Sequence, residues 1–215
     1  VVVELRCGSA WTKPSNEEHH DVTARPTTEF EVVVLDVLDD TWGQLIGRLE
    51  GLSDTEYLWE PVASCWTVRA RVDGSVTVDG EGERDRDPAP VTTIAWRLWH
   101  IAVDCLDGYS ERLLGATGAS VSGDEWHLRA VPAVDDLDRA WRCFRNGLAE
   151  FTAERWWAQL GDGWGPWSRH SVLDVAVHAL HEIAHHGAEV ALLRDLYRDG
   201  LAVSKSSGLA DIRQD

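Results

Sequence analysis

The stretch HALHEIAHHGAEVALLRDLY, residues 178–197, decides the fold because its apolar residues recur at the spacing of one helix face. With an advance of about 100° per residue, a single arc of the helix collects most of them, and this arc should face a helical core. We therefore predict a long amphipathic helix from about residue 171 to residue 198, with Asp174 at capping-box distance from Ser171. The residues on the arc are Val175, Ala179, Ile183, Val190, Leu193 and Tyr197.

The same helix carries four of the nine histidines, and two of its pairs have metal-binding spacing. His186 lies inside the apolar arc and Glu182 at its edge, whereas His181 and His185 lie well away from it. Side chains four residues apart share a helix face, so a carboxylate oxygen and an imidazole nitrogen can converge on one cation. Burial of both groups is costly unless coordination or hydrogen bonds compensate. Helical phase thus favours Glu182 and His186 as ligands, with His181 and His185 as the competing pair.

Three further amphipathic stretches, at about residues 28–52, 91–114 and 134–160, predict an all-α protein. Gly51 falls where a C-terminal cap is expected for the first of them. Thr92 and Thr93 are candidate caps for the second. Four helices with little strand indicate a four-helix bundle.

The first connection of this bundle, at about residues 53–90, is unusually long. Asp73-Gly74 between two short β-prone runs predicts a small hairpin within it. A connection of this length in a compact domain generally has a task, such as covering a site.

The chain of 215 residues suits one domain. We expect a peripheral N-terminal arm at residues 1–26, the bundle at residues 27–200 and a C-terminal tail at residues 201–215. The formal net charge of −17 repels phosphate backbones and anionic lipids, so nucleic acid and membrane surfaces are not expected as partners. No apolar run is long enough to span a bilayer, and no signal-peptide core is evident. A cytoplasmic location is therefore expected.

The four cysteines form no CxxC pair, which argues against a zinc ribbon and against a disulfide framework. Cys105 and Cys143 lie in apolar helical contexts and are interpreted as small core residues.

A metal site needs a third ligand from a neighbouring helix, because two ligands do not hold a catalytic ion. His100, in WRLWHIAVD, is the remaining histidine in the middle of a predicted long helix. On a helical wheel it lies about 100° or more from the apolar side of that helix. It shares a polar stripe with Arg97 and Asp104.

Three segments carry a resemblance to a known family: YLWEPVASCWTVR (57–69), PVTTIAWRLWHIAVD (90–104) and HALHEIAHHGAEVALLRDLY (178–197). They resemble the DinB-like superfamily of metal-dependent four-helix proteins. The closest likeness is to the branch related to mycothiol-dependent maleylpyruvate isomerase and thiol transferases. The resemblance implies that His100, Glu182 and His186 bind a divalent metal, with Glu182 standing where histidine is commoner in the family.

The resemblance also implies a function. Three protein ligands leave an open coordination position, which is typical of a catalytic metal. The expected ion is Zn²⁺, with Ni²⁺, Fe²⁺ or Mn²⁺ as alternatives. The expected activity is thiol transfer or isomerisation with a low-molecular-weight thiol such as mycothiol as co-substrate, or hydrolysis by metal-activated water. The expected partners are a small-molecule electrophile or thiol and a second copy in a homodimer. The alternatives are a non-catalytic, metal-binding, stress-associated bundle and a metal-free bundle that acts by association.

Overall fold

The computed structural model describes residues 30–81, 83, 88–115 and 125–210, so the predicted N-terminal arm lies outside the described residues. The protein is a helical bundle with one small antiparallel sheet, which confirms the all-α prediction. A π-helix at His100–Asp107 joins two α-helices into one rod. The α-helices are α1 (Phe30–Leu49), α2 (Asp54–Tyr57), α3 (Ile94–Trp99), α4 (Gly108–Leu114), α5 (Ala130–Ala149), α6 (Ala153–Trp157) and α7 (Val172–Ala210).

Four helical rods enclose the core. The first is α1, the second consists of α3, the π-helix and α4, the third is α5, and the fourth is α7. Helix α1 packs along α7, and α5 packs along the π-helix. Leu38, Trp42, Leu45 and Leu49 of α1 are buried at three- and four-residue spacing, as an amphipathic helix requires. Between α1 and α5, the rings of Trp42 and Trp141 stack with centroids 4.7 Å apart and planes 12° from parallel. Aromatic stacking of this kind adds to the area that the two side chains bury.

The buried face of α7 is the one that helical phase predicted. Five of the six arc residues are buried, and the sixth, Tyr197, is half-buried. The phase of this helix is what fixes the direction of Glu182 and His186. The five buried residues are Val175, Ala179, Ile183, Val190 and Leu193.

The start of α7 is the predicted capping box. The Ser171 backbone N–H and hydroxyl donate to Asp174 Oδ2 at 2.7 and 2.6 Å, and the Asp174 N–H donates back to Ser171 Oγ at 3.3 Å. The hydrogen bonds from Ser171 hold the pKa of Asp174 below its ordinary value.

We expect Asp174→Ala to lower the free energy of unfolding by about 1 kcal/mol at pH 7, the usual cost of losing a cap. Because the folded-state pKa is depressed, the stabilisation is present above the unfolded pKa of Asp174 and is lost as pH falls through the folded pKa. The gap between wild type and variant should therefore stay near its pH 7 value down to about pH 4 and narrow below that in urea titrations. Asp199→Ala, on the exposed end of the same helix, is the control and should change little at either pH. A gap that stayed constant with pH would contradict the ionic cap.

The long first connection contains the predicted hairpin. Strand β1 (Val68–Ala70) pairs antiparallel with β2 (Val76–Val78), and Gly74 has φ +86° in the turn between them. The Trp66 N–H donates to Val91 O and the Thr93 N–H donates to Trp66 O, both at 2.9 Å. These two bonds fix the connection against the start of α3.

Two helices differ from the prediction in their bounds. The helix predicted over about residues 134–160 begins at Ala130 and ends at Ala149. Thr152 then takes an extended conformation, and its hydroxyl accepts the Arg155 N–H to start the separate helix α6. Threonine is favoured at the N-cap because its side-chain oxygen accepts a hydrogen bond from a backbone N–H that has no partner within the helix. Helix α7 also runs through Gly200, where we expected it to end, because a helix tolerates an interior glycine at a cost of about 1 kcal/mol.

Within the part of the chain that the structure describes, every helix is too short or too polar to serve as a membrane span.

Candidate metal centre

The π-helix determines what surrounds His100. Its backbone winds with i→i+5 hydrogen bonds, a rare geometry that is frequent at functional sites. Asp104 Oδ2 lies 3.2 Å from His100 Nδ1, and Cys105 Sγ lies 3.7 Å from His100 Nε2. In an α-helix a residue five positions along would lie about 140° around the axis. The wide turn therefore brings Cys105 to a histidine that regular winding would keep away from it.

The His100 imidazole is further held by aromatic packing. The Trp96 ring stacks on it, with centroids 5.1 Å apart and planes 14° from parallel. The Trp96 indole N–H donates to Asp79 O at 2.8 Å, which fixes the tryptophan against the end of the hairpin. The imidazole is thus clamped with Nε2 directed towards α7.

Glu182 of α7 lies between two imidazoles from different rods. Its Oε2 is 3.3 Å from His100 Nε2 and 3.0 Å from His186 Nε2. The two histidine rings are 4.8 Å apart and nearly perpendicular. His186 is buried although its side chain is polar, with 9% of its surface exposed. The structure thus places the three predicted ligands together, and their role as metal ligands stays a prediction.

A second layer of charges orients His186. Its Nδ1 lies 2.7 Å from Glu189 Oε2, which leaves Nε2 directed to Glu182. Arg97 in turn contacts Glu189, with Nε 2.8 Å from Oε2 and an Nη2–Oε1 distance of 3.1 Å. A carboxylate behind a histidine fixes its tautomer and raises its basicity, as in many metal sites. Glu189 therefore lies where it orients His186 towards Glu182.

Hydrogen bonds and burial shift the pKa values of the centre in opposite directions. Burial lowers the pKa of His100, but its hydrogen bonds to Asp104, Cys105 and Glu182 together raise the pKa to about 11. Hydrogen bonds from His100 and then His186 hold the pKa of Glu182 far below its ordinary value. Burial raises the pKa of the Cys105 thiol, and His100 offsets part of that rise. The carboxylates around His100 thus favour its protonated form, and ligation of a cation by His100 would release that proton.

The competing HxxxH pair lies on the outer face of α7. His181 is 70% exposed and His185 is 53% exposed. His185 does lie near His186 and Glu189, but the Glu189 carboxylate already pairs with Arg97. His178 is also exposed, and its Nδ1 lies 2.9 Å from the Tyr109 hydroxyl.

A cavity of about 520 Å³ opens beside His100, Cys105 and Glu182. The long first connection forms one wall of it, as the length of that connection indicated. The opposite wall belongs to the π-helix and α4, which contribute Asp104, Tyr109, Glu111 and Arg112. The connection contributes Trp66, Gly80, Glu83, Ala89 and Pro90.

Gly80 allows Trp66 to form this wall. It has φ +68°, and a Cβ added there would lie 2.4 Å from the Trp66 ring. We expect Gly80→Ala to lower the free energy of unfolding by about 1–3 kcal/mol more than Gly74→Ala does, because only Gly80 adds a steric clash to the backbone strain. Gly74 is a matched control, with φ +86° and open space around its Cα. Equal losses in urea titrations of the two variants would show that Trp66 moves aside freely.

The donor set, and the distances from Glu182 to the two histidines, fit a divalent metal. For imidazole nitrogen and carboxylate oxygen at about 2.0–2.2 Å from a tetrahedral Zn²⁺, neighbouring donor atoms lie roughly 3.4 Å apart. The distances of 3.3 and 3.0 Å from Glu182 Oε2 to the two histidine nitrogens are close to this value. Two nitrogens and one oxygen from two helices are a usual set for a metal site in a bundle.

Comparison with known proteins agrees with this architecture. The family model described as DinB superfamily matches residues 38–190, which is more than half of the chain. That range includes the long first connection, His100 and both α7 residues of the centre. Neither the curated proteins nor the solved structures gave a match.

Proposed function

Because the chain belongs to the DinB superfamily, we propose that it is a metal-dependent enzyme acting on a small thiol or electrophile. The metal would be held by His100, Glu182 and His186. The reaction class that we propose is transfer or isomerisation with a low-molecular-weight thiol of the mycothiol type, with hydrolysis as the close variant. Zn²⁺ is the ion that we favour, because mixed nitrogen and oxygen ligation suits it.

The single observation that carries the proposal is the convergence of two imidazoles on one carboxylate at the wall of a cavity. Burial of these groups is costly, and a structural bundle has no need of them at a cavity wall. The cavity volume of about 520 Å³ lies within the range usual for small-molecule sites.

A bound divalent ion would lower the pKa of a coordinated thiol or water near neutral pH. The residues of the chain supply the rest. Trp66 and Trp96 give the cavity an apolar wall that restricts the access of water. Arg112 provides a positive charge for a carboxylate of the substrate, and the hydrogen-bonded Tyr109 and His178 can hold or pass a proton.

The test is a conjugation assay with mycothiol and a panel of small electrophiles. We expect turnover with zinc-loaded protein and none after chelation, with activity restored when zinc is returned. His181→Ala should retain activity because His181 is exposed on the outer face of α7. Persistent inactivity of protein that demonstrably holds zinc would overturn the enzymatic proposal.

A non-catalytic metal-binding bundle is the second candidate, and one observation favours it. Cys105 lies close enough to His100 to add a fourth protein ligand, and four protein ligands are typical of structural zinc sites. The same assay separates the two functions, since a metal-loaded but inactive protein is the result expected of such a bundle. In either case we propose association into a homodimer.

A further inference from the structure

We propose that the thiol of Cys105 is a fourth protein ligand of the metal. The inference rests on the proposed metal centre and deepens it, because it assigns a role to a residue that neither helical phase nor the family resemblance singled out.

The distance from Cys105 Sγ to His100 Nε2 suits two ligands of one zinc ion. For a thiolate sulfur at about 2.3 Å and an imidazole nitrogen at about 2.05 Å from a tetrahedral Zn²⁺, the two donor atoms lie roughly 3.5 Å apart. Cys105 Sγ lies 3.7 Å from His100 Nε2, the same nitrogen that faces Glu182. The ligand atoms of His100, Cys105 and Glu182 all lie within 4.8 Å of one another. The three side chains thus already surround one point.

The π-helical backbone places Cys105 beside His100. The π-helix at His100–Asp107 interrupts a rod that is α-helical on both sides. A wide turn forgoes regular hydrogen bonding and packing, so it persists where the rest of the structure or a function requires it. Here its local effect is to align residues five apart, which are His100 and Cys105. A helix with ordinary winding would present only Asp104 to the histidine.

The Cys105 side chain lies at the wall of the cavity. Cys105 is 4% exposed, yet it lines the cavity together with Glu182. A metal deprotonates a coordinating thiol outright, so burial of the neutral thiol does not prevent ligation. With Cys105 bound, the position that three ligands leave open is filled, so a thiol or water would have to bind as a fifth ligand, an expansion that catalytic zinc sites undergo.

A thiolate ligand has a consequence for the choice of metal. Soft sulfur favours Zn²⁺ and Co²⁺ over Mn²⁺ and Mg²⁺, which prefer oxygen ligands. The centre should therefore bind cobalt with a sulfur-to-cobalt charge-transfer absorption in the near ultraviolet.

The experiment is titration of the metal-free protein with Co²⁺, followed by absorption spectroscopy. We expect visible bands of tetrahedral cobalt together with the charge-transfer band. Cys105→Ser should lose the charge-transfer band and bind zinc at least about 10–100-fold more weakly, since losing even a hydrogen-bond partner of a ligand has that effect. Cys65→Ser, at another buried free cysteine, is the matched control and should keep the band.

X-ray absorption of the zinc-loaded wild type needs no variant and should show one sulfur neighbour at about 2.3 Å. Cobalt or zinc bound with nitrogen and oxygen neighbours only would overturn the role of Cys105 and leave the proposed metal centre intact. Absence of any bound cobalt or zinc would overturn the proposed function itself, and this inference with it.

Discussion

Purified His186→Ala should contain little or no zinc, whereas the wild type should hold about one ion per chain. The expected loss of affinity exceeds 100-fold, because the change removes a ligand and not merely a partner of one. It also removes one of the two imidazoles beside Glu182, whose carboxylate oxygen lies 3.0 Å from the lost nitrogen. Elemental analysis after dialysis against a weak chelator measures the metal content directly.

His185→Ala is the matched control, since it removes the neighbouring histidine of the same doublet. His185 is 53% exposed and contacts Glu189 at 3.5 Å, on the outer side of α7. We expect this variant to retain its zinc. If His185→Ala lost the metal and His186→Ala retained it, the ligand pair would be the exposed one and the proposed centre would be wrong.

Arg194→Met should lower the free energy of unfolding by about 3–5 kcal/mol, the usual effect of leaving one partner of a buried ion pair alone. Arg194 joins α7 to α2 through Glu56, with an Nε–Oε1 distance of 2.7 Å and an Nη2–Oε2 distance of 3.2 Å. It also donates to the carbonyl oxygens of Arg48 and Glu50 at the end of α1. The variant would leave the Glu56 carboxylate, 7% exposed, without this partner.

Asp195→Ala is the control for this prediction because it breaks an exposed ion pair one residue along. Asp195 pairs with Arg48 at 2.6 Å, but both side chains are more than 40% exposed. Exposed ion pairs contribute little to stability, so urea titrations should show a small change. A loss in Arg194→Met no larger than that in Asp195→Ala would contradict the bracing role of Arg194.

Sequence periodicity was sufficient to orient α7. Its apolar residues are dense and regular, so the phase of the helix could be read to within one residue, and Glu182 and His186 emerged as the inward pair. The hairpin was also predictable, because Asp73-Gly74 has few other stable conformations between β-prone runs. These are local signals, and the structure agrees with them.

Features that depend on tertiary contacts were not predictable in this way. The wheel for the second rod assumed about 100° per residue throughout, so it separated His100 from Cys105, although the cysteine is buried as expected. The end of the third predicted helix was also missed: Trp156 is buried but Trp157 is 60% exposed, because α6 is a short separate helix and not the end of α5. No residue type reliably predicts a π-helix. The break before α6, in contrast, was signalled by Thr152, a residue type that is favoured at helix N-caps.

The π-helix has a consequence for the phase of the second rod. A wide turn holds about one residue more than an α-turn, so it takes up an extra residue without changing the phase of the helix beyond it. Deleting one residue between His100 and Cys105 should therefore return the rod to α-helical winding and leave Leu106 and Leu113 in the core. The wide turn thus changes which side chain meets His100 and leaves the rest of the core as it is. Relatives without the wide turn should show a one-residue alignment gap at this point and the same apolar pattern after it.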